Sequence, residues 1–78
     1  MARYFFDGGD SNHVVEDEVG IDCAGLEEAR RAGLEGLKDL ARDALKDSDG
    51  QLLFIEVRDE SGEKLLKLCI CLQVTAMG

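Results

Sequence analysis

Three cysteines and one histidine are the residues of this 78-residue chain suited to soft-metal or thiolate chemistry. Cys69 and Cys71 flank Ile70, and on a strand, side chains two apart point the same way, so both thiols share a face. A disulfide between them would be strained, because their Cα atoms stand near the upper limit of about 7 Å for a bridge. One close-set pair is also only half of a structural zinc pattern; Cys23 and His13 would have to complete a Cys₃His set, and nothing in their spacing demands it. The thiols therefore read first as small hydrophobes, and no metal is expected.

Nucleophilic catalysis has Ser11, Ser48, Ser61 and the cysteines to draw on, with His13 as sole imidazole base. Ser11 and His13 in a Gly-rich stretch do not make an activated pair by themselves. No G-x-S-x-G, P-loop or G-x-G-x-x-G occurs. The acidic turns at 7–12 and 47–50 carry calcium-type residues, but Gly9 and Gln51 break the register of a calcium-binding loop. Glu16-Asp17-Glu18 reads as a solvated cluster. With little volume for a cleft in so short a chain, an enzyme and a cofactor are not expected.

Arg30 is the one cation whose projected position falls inside an apolar helical arc. It reads as a snorkelling side chain paired with a strand carboxylate such as Glu56, or as an anion-recognition arginine. No second basic residue or Gly-rich loop accompanies it, which favours the ion pair.

A net charge of −8 repels phosphate backbones and anionic lipid, so neither nucleic acid nor a membrane surface is an expected partner. No apolar run approaches the roughly 18 to 20 residues that span a bilayer, and the first residues lack the pattern of a signal peptide. An odd cysteine count fits reduced thiols and a cytoplasmic location.

These residues must be positioned by few elements. The length allows one α+β domain, residues 1–78. Arg3 to Asp7 is an aromatic first strand, Gly8 to Asn12 a loop, and Val19 to Cys23 a short second strand. Leu26 to about Leu45 is an amphipathic helix. Leu26, Ala29, Gly33, Leu34, Leu37, Leu40, Ala41, Ala44 and Leu45 share its apolar face, Glu27 and Glu28 its first turn, and Lys46 its end; Asp47 to Gly50 stop it.

Leu52 to Arg58 and Lys64 to Val74 then form a long hairpin around Asp59-Glu60-Ser61-Gly62, with Gly62 supplying positive φ. Pairing Arg58 with Glu63 sets Ile55 opposite Leu66 and Leu53 opposite Leu68, turning these toward the helix together with Ile70 and Leu72. The other hairpin face shows Leu52, Phe54, Leu65, Lys67, Cys69 and Cys71 among Glu56, Arg58 and Gln73. That face is too apolar for plain solvent; either the N-terminal segment folds across it or a partner does, most economically a second copy.

Four segments carry a family resemblance: Arg3-Tyr4-Phe5-Phe6-Asp7, Asp17-Glu18-Val19-Gly20-Ile21, Leu26-Glu27-Glu28-Ala29-Arg30, and Ile55 through Gly62. Together they resemble a family of short bacterial proteins grouped as a domain of unknown function. The resemblance places Arg30 in a recurring motif and puts Gly25 where the family usually has Asp before the helix. It implies no catalytic residue, substrate or cofactor.

The expected architecture is a three- or four-stranded antiparallel sheet in ββαββ order with the helix on one face. The expected function is protein–protein contact, first by self-association through the outer hairpin face. An antitoxin-like or regulatory acidic partner of a basic protein, and a thiol- or metal-dependent protein using Cys69 and Cys71, are the alternatives.

Overall fold

The computed structural model describes residues 1–44 and 51–78, and these form an α+β fold of five antiparallel strands and one helix. In order these are β1 (Ala2–Asp10), β2 (Val14–Val15), β3 (Ile21–Cys23), α1 (Leu26–Ala44), β4 (Gln51–Arg58) and β5 (Lys64–Leu72). The sheet runs β2-β1-β4-β5, with β3 also paired to β1.

The added strand comes from the N-terminal third. β1 continues through Gly8 and Gly9, where a loop was expected, and the chain reverses only at Asp10, whose N–H donates to the His13 carbonyl at 2.9 Å. Gly9 allows that reversal, since a Cβ there would lie 1.9 Å from the His13 oxygen. β2 then pairs with Gly8 and Gly9, and β3 with Ala2 to Tyr4. Residues 16–20 leave the sheet between these two pairings.

The hairpin register differs from the expected one by two residues. Ile55 faces Leu68 and Leu53 faces Ile70, because the loop closes on Lys64 and a bulge follows at Val57/Arg58. Each contributes one residue of shift. An even total leaves Leu52 to Arg58 and Leu66 to Leu72 on their expected faces, while Lys64 turns to the face of Glu56, and Leu65, the extra residue of the bulge, packs against the core. Gly62, at φ 91°, and Asp59 close the loop; Asp59 Oδ1 accepts from the Ser61 N–H and hydroxyl and from the Glu63 N–H.

Helix α1 starts where the Gly25 carbonyl accepts the first helical N–H, from Ala29 at 3.1 Å. Ala29, Gly33, Leu37 and Ala41, four apart, are buried against the sheet. At Gly33 the helix backbone comes so near that a Cβ would meet Leu68 at 3.3 Å and Val57 at 3.5 Å. Leu26 is 43% exposed rather than packed, since helical side chains tilt toward the N-terminus and the first one points past the end. Leu45, Lys46 and the 47–50 stop region, and the side chain of Ala44, lie outside the described residues.

Leu53, Ile55 and Val57 of the central strand β4 are buried under the helix with Tyr4 and Cys23, and Leu37 of the helix joins them in the core. The matching residues of β5, Leu66, Leu68 and Ile70, are only half-buried, because β5 is an end strand. No helix among the described residues is long and apolar enough to cross a membrane.

Candidate functional site

On the sheet face away from the helix, alternation places Phe5 and Asp7 of β1 beside Phe54, Glu56 and Arg58 of β4. Asp7 is 7% exposed. Arg58 Nε donates to Asp7 Oδ2 at 2.8 Å, and its Nη2 donates to the Asp17 carbonyl at 2.8 Å and reaches Glu16 Oε1 at 3.5 Å. The guanidinium lies 4.6 Å from the Phe5 ring centre.

Asp17 completes this network from the looped segment 16–20. Its backbone N–H donates to Asp7 Oδ1 at 2.8 Å; its carboxylate accepts the Phe6, Val19 and Gly20 N–H groups at 3.1, 3.0 and 3.1 Å. Partial burial works to raise its pKa, but those three bonds and the Arg58 charge together hold it below the ordinary aspartate value. A side chain thus occupies the place of the strand that residues 16–20 do not form. Gly20, at φ 78°, packs so closely that a Cβ would stand 2.9 Å from the Tyr4 carbonyl oxygen.

Arg58 binds its own chain through both Nε and Nη2, so this network locks a loop. Asp7 is thus part of a buried ion pair rather than of an acidic turn, and Asp17 is not a solvated member of the 16–18 cluster, because its carboxylate is taken up by backbone N–H groups. The signal was present: each sits in one of the segments that carried the family resemblance, and charge in aromatic surroundings asks for a partner.

Arg30 is exposed and donates to Glu27 of its own helix, at 2.7 Å from Nη2 and 3.1 Å from Nε, not to Glu56. Glu56 projects from the far side of the sheet, where it pairs with Lys64 at 3.5 Å. The expected strand partner is therefore out of reach.

Leu52, Lys67, Cys69 and Cys71 do share that far face. Leu52 is 40% exposed, both thiols are exposed, and Lys67 Nζ stands 4.8 Å from the centre of the buried Phe54 ring. β1 does not fold across this face; it joins the same sheet beside β4, because its own backbone groups need a ladder. Cys23 is buried under the helix, far in register from Cys69 and Cys71, and its thiol pKa is raised by burial, then by Glu28 and Asp22. Among the described residues no three metal-ligating side chains cluster.

On the helix side, a cleft of about 550 Å³ opens beside α1. Phe6, Leu40 and Ile55 form its apolar floor, Gly8 and Gly36 keep it open, and Glu16 to Glu18 stand along its rim.

A family model described as a domain of unknown function (DUF6894) matches residues 3–71. No curated protein and no solved structure matches the chain.

Proposed function

The chain belongs to the DUF6894 family of domains of unknown function, and on that premise we propose that it is a non-enzymatic protein that works through protein–protein contact, by self-association of its C-terminal hairpin. The observation that carries this reading is the edge of β5: nine residues long, at the end of the sheet, with Leu66, Leu68 and Ile70 only half-buried. Such an edge presents unpaired N–H and C=O groups to a further strand. Antiparallel pairing with the β5 of a second copy keeps those three residues on the helix side, where they complete each other's burial. Leu52, Lys67, Cys69 and Cys71 then flank the junction on the other face. Reduced, exposed thiols suit a cytoplasmic setting.

Native mass spectrometry under reducing conditions tests this directly. A metal-free dimer that reverts to monomer in a Leu68→Lys variant supports it. A monomer at micromolar concentration overturns it, and a dimer carrying zinc would move the function to Cys69 and Cys71.

A further inference from the structure

The cleft beside α1 has a cause in the proportions of the fold. Four strands spaced about 4.8 Å apart make a face wider than one helix, about 10 Å across, can cover. Helix α1 lies over β4 and β5 and touches β1 only at its margin. Beyond the buried Tyr4, the helix-side face of β1 and β2 is left open, with Val15 at 66% exposure on it.

Acidic side chains dominate the edges of this opening. Glu16, Asp17 and Glu18 stand on one lip. On the other, Gly36 and Leu40 line the cleft; Asp39, three after Gly36, and Asp43, three after Leu40, follow on the same flank of α1. Arg31 and Lys38 fall on the helix's far flank by the same periodicity, while Arg42 reaches back to Asp39, its Nη1 donating to Asp39 Oδ1 at 3.0 Å. Among the described residues no Lys or Arg lines the cleft.

We propose that this cleft docks a basic amphipathic helix of a partner protein, laid beside α1 with apolar side chains over Phe6, Leu40 and Ile55 and Lys or Arg against both acidic lips. The occupant is a helix because the vacancy lies in the helix layer and is one helix wide. Gly8 and Gly36 let it approach closely, and its charge follows from the lips. This surface is separate from the β5 edge, so self-association and docking stand or fall independently.

The test titrates ¹⁵N-labelled full-length protein with a synthetic Leu/Lys peptide of about eighteen residues, patterned as an amphipathic helix. A peptide of the same composition in scrambled order controls for charge alone. The expected result is shift changes at the Gly8, Gly9 and Gly36 amides, with the scrambled peptide and the variant E18K/D43K each binding roughly tenfold more weakly. E60K/E63K, with the same net charge change at the hairpin turn, should bind much as the parent does. Thermal unfolding of both variants checks that they fold; if E18K/D43K does not, E18Q/D43N takes its place with a smaller loss. Equal binding of the scrambled peptide, equal loss in E60K/E63K, or shifts gathered on β5 would overturn the proposal.

Discussion

Asp7 and Arg58 are diagonal neighbours on adjacent strands, joined from Arg58 Nε to Asp7 Oδ2 at 2.8 Å on the sheet face away from the helix. The same guanidinium holds the Asp17 carbonyl, so one side chain ties β1, β4 and the 16–20 segment together.

Asp7→Asn should therefore cost about 3 kcal/mol, the range for breaking one partner out of a buried pair. Arg58→Lys should not behave as conservative, since an ammonium cannot serve Asp7 and Asp17 through a planar fork. Urea unfolding midpoints of both variants and of the double variant measure the coupling.

Acid should weaken the fold through Asp17. Its native pKa is depressed, so its contribution is complete above the unfolded aspartate value of about 3.9 and is lost as pH falls from there through the native value. Asp17→Asn should flatten the pH dependence of unfolding in that window while lowering stability at neutral pH. A curve parallel to that of the parent would contradict the assignment.

Two glycines should respond differently to alanine. At Gly9 the new Cβ would fall 1.9 Å from the His13 carbonyl oxygen, so Gly9→Ala must open the β1–β2 turn. At Gly62 the surroundings are empty and only the left-handed backbone opposes a side chain, which costs about 1 kcal/mol. Thermal unfolding should show the first as severe and the second as mild, and amide shifts of Val14 and Val15 should move only in the first.

Thiol reactivity should split two to one. Cys69 and Cys71 are exposed, whereas Cys23 is buried and its thiolate is disfavoured. A disulfide dye at neutral pH should label two thiols promptly and the third only as the protein opens. Three equal rates would place Cys23 elsewhere than under the helix.

The sequence by itself determined the periodic elements. Alternation along 52–58 and 64–72 and the four-residue spacing of Ala29, Gly33, Leu37 and Ala41 mark which side chains meet, because each element's period is local. The Asp59–Gly62 turn is local too, as is the Glu27–Arg30 pair, where the apolar position of Arg30 suggests a sheet partner instead. What only the tertiary structure decided depends on residues distant along the chain. The loop closing on Lys64 and the bulge at Val57/Arg58 shift the register by an even number, which periodicity cannot detect. Continuation of β1 through two glycines rests on backbone pairing to β4, where propensity predicts a loop. The Asp7–Arg58–Asp17 network spans separations of up to 51 residues, and the cleft exists because one helix is narrower than the sheet beneath it. Neither property is written in any single window of sequence.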